Sequence, residues 1–248
     1  MNSATRTAIS SQLHSALWEC CHPDYIYRVV CTSILDDIVQ ELMEDVEAFA
    51  SKDPAAGGDP LRIVQSYTSF KAVLHYRLAH KLDQHFSEDE FQYSDLKMYA
   101  ALISGRGKIL SGAELHHRCR IGKRFILDHG IGTVFGETTD IGDDCYVLGG
   151  VTLGASGISN NPNGKRHPTI GNRVQIGAYA RIFGVVTIGD DVIIGPQCTI
   201  TKDVSCSSKV LLRTSVQVVN SPAPQPVFES YRYGATINEI SSSHHVAQ

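Results

Sequence analysis

Ile170, Ile176, Ile182, Ile188, Ile194 and Ile200 follow one another at an unbroken interval of six residues. Four positions after each comes a small or β-branched residue: Val174, Ala180, Val186, Val192, Cys198 and Val204. Earlier in the chain Ile141, Val147 and Leu153 keep the same interval, and Ile121 and Leu127 form a further fragment. A period of six suits neither common element. An α-helix turns about 100° per residue, so positions six apart point about 120° away from each other. A flat strand would align them on one face, but this run far exceeds an ordinary strand of roughly 3–10 residues. A coil of short strands accounts for the spacing. Each six residues form one side of a triangular prism, and each large aliphatic points inward onto its counterpart three hexads away, as in a parallel β-helix. The smaller residue leaves room for the bend. Gly171, Gly177, Gly189 and Gly195 directly follow their isoleucines, which predicts unusual backbone angles there. The interval from Leu127 to Ile141 is not a multiple of six, so an irregular turn or loop is expected between them.

Residues 1 to about 110 carry a different period. Ile34, Leu35, Ile38, Val39, Leu42, Val46 and Phe49 fall on one face of a helix. The stretch "SKDPAAGGDP" then interrupts the pattern with proline and glycine. Asp59 before Pro60 suits a helix start, with an acceptor at the N-cap and proline at the first helical position. Phe70, Val73, Leu74, Arg77 and Leu78 predict another helix. "SEDE" at Ser87–Glu90 reads as a capping box opening one more, which carries Phe91, Leu96, Tyr99 and Leu102. The expected fold class is α+β: a helical domain over 1–110, a parallel β-helix over 111–219, and a tail over 220–248. The tail begins with prolines, ends Ser/His-rich and is expected to be partly disordered.

The bulk numbers narrow the function classes. A net charge of −4 with no run of Lys or Arg gives no footprint for nucleic acid. No apolar run approaches the roughly 18 residues that suggest a membrane span. The N-terminus lacks the compact apolar segment of a secretory signal, so a cytoplasmic location is expected. The seven cysteines include no C-x-x-C pair and read as reduced, mostly buried small residues.

One aspartate–histidine pair, Asp128–His129, stands inside the otherwise aliphatic and glycine-rich segment "ILDHGIG". Alone, such a pair in a loop is more often solvated than catalytic. The surrounding motifs change that. "KDPA" (Lys52–Ala55), "HYRLAH" (His75–His80), "LDHGIG" with "GET" (Leu127–Thr138), "VTLG" (Val151–Gly154) and "RHPTIG" (Arg166–Gly171) occur in an order that resembles the serine O-acetyltransferases. These belong to the left-handed β-helix, hexapeptide-repeat acyltransferases. The likeness spans roughly Asp36 to Val219.

The resemblance implies a left-handed coil, an N-terminal helical domain involved in oligomerisation, and a homotrimer or dimer of trimers. It implies acetyl-CoA as co-substrate, bound between neighbouring coils, with no metal. The activity implied is acetyl transfer to the hydroxyl of L-serine, giving O-acetylserine and CoA. His129 would be the general base, a histidine's ordinary pKa being suited to that task near neutral pH. Glu114 would be its carboxylate partner, at a position where the family usually carries aspartate. Asp53 and Asp128 would receive the substrate ammonium. Arg166 would take the carboxylate through its planar fork, and His167 would add a carboxylate or oxyanion contact. Gly154, Gly177, Ala178 and Gly195 would let the pantetheine lie close to the coil. Glu137 reads as structural, and His75 and His80 as packed helix residues.

Departures from the family pattern leave room for other acceptors. Lys165 replaces an aspartate that commonly precedes Arg-His, the loop Gly154–Lys165 is about three residues longer than usual, and "LLRTSVQVVN" replaces a Gly-x-Pro-Ala turn. A specialised relative acylating another hydroxy-amino acid is the alternative reading. A zinc enzyme built on His117, His129 and His167 is a weaker one, because their spacings do not resemble the β-helix zinc pattern. Many family members end in isoleucine, which docks into the next enzyme of cysteine synthesis. This chain ends in glutamine, so a complex with O-acetylserine sulfhydrylase is not expected.

Overall fold

In a computed structural model, residues 3–85, 93–161 and 163–213 are described, the side chains of 93–97 excepted. Six α-helices come first: α1 (Ser3–Cys20), α2 (Pro23–Val30), α3 (Ile34–Lys52), α4 (Pro60–Ser66), α5 (Thr68–His85) and α6 (Tyr93–Ser111). Among the described residues fourteen short strands follow: β1 (Glu114–Leu115), β2 (Arg120–Ile121), β3 (Ile126–Leu127), β4 (Val134–Phe135), β5 (Asp140–Ile141), β6 (Tyr146–Val147), β7 (Thr152–Gly154), β8 (Thr169–Ile170), β9 (Gln175–Ile176), β10 (Arg181–Phe183), β11 (Thr187–Ile188), β12 (Ile193–Ile194), β13 (Thr199–Ile200) and β14 (Lys209–Val210). The anticipated capping box at Ser87–Glu90 and the tail over 220–248 lie outside the described residues.

α3, α4 and α5 form where the apolar period and the caps predict them, whereas on α6 Leu102, expected on the apolar face, is exposed and Ala100 and Ile103 are buried instead. α1 buries Ile9, Leu13, Ala16 and Leu17, one face of a helix. All seven apolar positions read on α3 are buried, and Asp45 is buried among them. Asp59 caps α4 by accepting the Leu61 N–H at 3.0 Å, and Pro60 opens that helix. α6 lies against α5 so closely that a Cβ on Gly107 would sit 2.7 Å from the Cβ of His75.

The strands build a parallel coil whose three walls are three sheets. Sheet A runs β1-β4-β7-β10-β13, sheet B β2-β5-β8-β11 and sheet C β3-β6-β9-β12-β14. The β-helix is left-handed. Its register is the six-residue ladder: Ile188 stacks on Ile170, Ile194 on Ile176 and Ile200 on Ile182. The ladder continues up the coil through Leu153 on Phe135 and Val147 on Leu127. Val174, Ala180, Val186, Val192 and Cys198 form a second buried column, whereas Val204, expected to continue it, is half-buried on the ladder itself, opposite Ile188. Each fully buried isoleucine contributes about 1.5–3 kcal/mol by leaving water.

The glycines after the isoleucines behave otherwise than expected. None of Gly171, Gly177, Gly189 and Gly195 has a positive φ; the left-handed residues fall two positions later, at Arg173, Tyr179, Asp191 and Gln197, with φ of 56–60°. Glycine is needed for closeness instead. A Cβ on Gly171 would meet Asp190 Oδ1 at 2.4 Å, and one on Gly177 would meet the Pro196 nitrogen at 2.6 Å. At the corner between sheets B and C, each Asx side chain reaches up to the coil above. Asp143 accepts the Lys123 N–H at 2.8 Å, Asn172 that of Asp143 at 2.9 Å, and Asp190 that of Asn172 at 2.8 Å. Arg124–Asp144 and Arg173–Asp191 are bidentate pairs beside this column.

Among the described residues the ladder is interrupted three times. Leu127 to Phe135 spans eight residues instead of six, Leu153 to Ile170 spans seventeen, and Ile200 to Val204, which stands opposite Ile188, spans four. The first interruption is the corner Asp128–Thr133, and the second is the loop that ends at Arg166 and His167. Both motifs that carry chemistry therefore sit where the coil departs from its period.

Candidate active site

Asp128 and His129 occupy the corner that leaves sheet C and enters sheet A. His129 has a φ of 63°, a left-handed conformation that costs a non-glycine residue roughly 1–3 kcal/mol. The corner holds it there through the Ile131 N–H to the His129 carbonyl at 2.9 Å and the Gly132 N–H to the Gly112 carbonyl at 2.9 Å. As a result the imidazole stands out: its side chain is 82% exposed, beside an Asp128 side chain only 17% exposed, with Nε2 and Oδ1 3.7 Å apart. Gly149 lies under it, its Cβ position 3.5 Å from the Cβ of His129.

The helices supply the other wall. Asp53 ends α3 and opens the 3-10 turn Pro54–Ala56, with Oδ1 accepting the Ala55 N–H at 2.9 Å. Its Oδ2 accepts a hydrogen bond from the Tyr67 hydroxyl at 2.6 Å. Asp53, Tyr67, Ser69, Asp128, His129 and Ile131 thus line one open cleft of about 450 Å³. Behind it, the Tyr146 hydroxyl donates to Asp128 Oδ2 at 2.8 Å. Neither tyrosine was singled out in the sequence. Tyr67 precedes α5 with no motif around it, and Tyr146 occupies an ordinary outward position of a hexad. Only the fold shows that both face carboxylates.

Arg166 and His167 stand at a different corner, between sheets A and B. Thr138 organises them. Its hydroxyl oxygen accepts the Arg166 and His167 N–H groups at 2.9 and 3.1 Å, and its own hydroxyl lies 2.8 Å from His167 Nδ1. The Thr138 backbone N–H also donates to Nδ1, at 3.2 Å. Nδ1 is therefore an acceptor, and the ring proton belongs on Nε2. Burial lowers the His167 pKa first, with Arg166 and Lys165 adding to it, so the ring is neutral near pH 7. A Cβ on Gly136 would lie 2.0 Å from Nε2, so only glycine leaves that ring its place. Glu137 bridges Arg166 and Arg118, and the Arg166 hydrogen bond holds its carboxyl below the usual range. The Lys165 ammonium is bound to Asp140 at 2.7 Å and to the carbonyls of Thr138 and Pro168.

The remaining candidates are scattered. Glu114 opens β1 and pairs with Lys108 Nζ at 2.5 Å. Gly177, Ala178 and Gly195 lie on the His129 corner, one and two coils beyond Gly149, whereas Gly154 ends β7 at the other corner, against the Phe183 ring. His117 belongs with Asp83, at 4.0 Å, and with His116, whose ring stacks on it at 4.6 Å. Among the described residues no group of three or more His, Cys, Asp or Glu is arranged to hold a metal. No described helix is long and apolar enough to cross a membrane.

A prism of hexad coils with its polar groups at interrupted corners defines a hexapeptide-repeat transferase, and residues 167–202 match the family described as bacterial transferase hexapeptide (six repeats). A serine acetyltransferase of Helicobacter pylori is 38% identical over 168 residues, covering 68% of this chain and 91% of that protein. One from Mycobacterium tuberculosis is 37% identical over 182 residues, covering 73% of each. The crystal structure of the Neisseria gonorrhoeae serine acetyltransferase superposes with a TM-score of 0.69 at 27% identity, covering 91% of this chain and 83% of that one. The chain belongs to the serine acetyltransferase family.

Proposed function

We propose that the protein is an acetyl-CoA-dependent O-acetyltransferase that converts L-serine to O-acetylserine, releasing CoA. The observation that carries this reading is the exposed His129, fixed beside Asp128 in a cleft that also presents Asp53. The two carboxylates suit an ammonium group. The imidazole accepts the proton of the serine hydroxyl as its oxygen attacks the thioester carbonyl carbon. Collapse of the tetrahedral adduct breaks the C–S bond, and the imidazolium returns the proton to the departing thiolate. Glu114 is the further carboxylate for the imidazolium once it is released from Lys108. Arg166 binds the substrate carboxylate, and His167 offers an Nε2–H to the carboxylate or the oxyanion.

Within one chain no described contact joins His129 to Arg166 and His167. In a homotrimer the Arg166 corner of one protomer would stand against the His129 corner of the next and complete the site. Acetyl-CoA would then run along the seam, past the small residues Gly177, Ala178 and Gly195, with Gly154 on the facing corner.

The test is the release of free thiol from acetyl-CoA with L-serine, by the wild type and by His129→Asn. Asparagine tolerates the left-handed backbone at this position but is no base. The expected result is a fall in kcat of about 10²–10⁴ with CoA binding retained. Near-normal turnover by the variant would remove His129 from the mechanism. A hydroxy-amino acid panel in the same assay identifies any preferred acceptor other than serine.

A further inference from the structure

The two carboxylates of the cleft are not bare. Asp53 Oδ2 receives the Tyr67 hydroxyl at 2.6 Å, and Asp128 Oδ2 receives the Tyr146 hydroxyl at 2.8 Å. The two pairs come from different parts of the fold. Asp53 and Tyr67 flank the 3-10 turn and α4, whereas Asp128 and Tyr146 lie on successive coils of sheet C, where Tyr146 is paired with Ile126. The four groups nevertheless form one electrostatic cluster. Asp128 acts on the Tyr67 phenol, and Asp53 and Tyr67 act on the Tyr146 phenol. The hydrogen bond to Asp53 raises the Tyr67 pKa, and burial, followed by the Asp128 bond, raises that of Tyr146. Both phenols therefore keep their protons and donate.

A carboxylate offers about four acceptor sites. Asp128 has given one to Tyr146, and Asp53 has given one to Tyr67 and one to the Ala55 N–H, which leaves both with capacity facing the cleft. A carboxylate held by a fixed donor cannot rotate freely, so its remaining acceptor sites keep one direction.

We propose that Tyr67 and Tyr146 are positioning residues for substrate recognition: their phenols fix Asp53 and Asp128 as an oriented pair of acceptors for the ammonium of the amino-acid acceptor. This rests on the reading of the cleft as the amino-acid site. It makes discrimination for an α-ammonium group a property of four side chains rather than two.

The experiment compares wild type with Tyr67→Phe, Tyr146→Phe and the double variant. Phenylalanine keeps each ring and removes only the hydroxyl. Steady-state kinetics are run with L-serine and with 3-hydroxypropionate, which lacks the ammonium group, and L-serine binding is measured by calorimetry. Each single variant is expected to raise the KM and Kd for L-serine about tenfold, the scale of a hydrogen bond to a charged group. kcat, and the KM for acetyl-CoA, should stay within about twofold. The preference for L-serine over 3-hydroxypropionate should shrink by the same factor. Unchanged serine affinity in all three variants overturns the proposal and leaves the functional reading intact, as does an equal loss for both acceptors. A wild-type protein that neither binds nor acetylates L-serine overturns the functional reading, and the proposal falls with it.

Discussion

Arg77 on α5 meets Asp45 on α3 through Nε at 3.0 Å and Nη2 at 3.2 Å, with both side chains almost fully buried. The rest of the fork reaches the coil: Nη1 donates to the Ile121 carbonyl at 2.6 Å and Nη2 to the Gly122 carbonyl at 2.5 Å. Asp45 Oδ1 in turn accepts the Phe125 N–H at 2.8 Å. This clamp ties both helices to the first coil, close to the corner that carries Asp128. Asp53 directly follows α3 and α5 starts just after Tyr67, so the clamp also fixes the helical wall of the cleft.

Replacing Asp45 with Asn leaves the Arg77 charge buried without its counter-ion. The expected loss of stability is about 3–5 kcal/mol. Urea unfolding followed by circular dichroism measures it. A loss below 1 kcal/mol would mean that water reaches Arg77 in solution. Where the variant remains folded, the KM for L-serine should rise, because Asp53 loses its fixed distance from Asp128.

The coil was legible because its period leaves one solution: the aliphatic ladder is a buried contact repeated at fixed spacing, and Ile170 to Ile200 state it without ambiguity. The break between Leu127 and Ile141 was legible too, as a failure of register, and it marks the corner with two extra residues. The role of the glycines is not legible, since a missing Cβ serves close approach as well as left-handed backbone, and sequence does not distinguish the two. The clamp was hidden because Asp45 lies among acidic neighbours in "MEDVE", where a charge reads as solvated surface. Tyr67 and Tyr146 were hidden for a different reason. Their partners are fourteen and eighteen residues away, at separations no local motif records.

Gly136 faces the His167 ring, and an added methyl group would overlap Nε2 at 2.0 Å. Gly136→Ala therefore displaces His167 from the donor position that Thr138 sets. A misplacement of about 1 Å in a group that positions substrate costs about 10²-fold. The variant should keep its circular-dichroism spectrum and lose kcat/KM for L-serine on that scale. Full activity would show that His167 does not act through its present position.

The His117 ring is buried against His116 and half-surrounded by Arg118 and Asp83. Burial, reinforced by His116, lowers its pKa from 6.5 to about 4. The unfolded chain therefore takes up a proton at His117 from pH 6.5 downward, while the folded chain takes it up only near pH 4. Proton uptake by the unfolded state lowers folding stability, so stability should fall as pH drops from 6.5 to 4. His116, His80 and His167 are shifted in the same direction and add to the slope. His117→Gln should flatten it between these limits, as read from urea midpoints at half-unit pH steps. An unaltered slope in the variant would mean that His117 titrates normally in the folded protein.

Glu114 pairs with Lys108 Nζ at 2.5 Å, whereas the role proposed for it is to steady the imidazolium of His129, beside which Asp128 already stands at 3.7 Å. A carboxylate supports a histidine base by stabilising the cation formed when the proton moves, so its loss appears in kcat rather than in the binding of either substrate. Glu114→Gln should lower kcat about tenfold or more, with the KM for acetyl-CoA unchanged. Lys108→Met should leave kcat at or above the wild-type value, because it frees Glu114 to turn toward the ring. If Glu114→Gln turns over as fast as wild type, Asp128 alone serves His129, and the Glu114–Lys108 pair is a brace between α6 and β1.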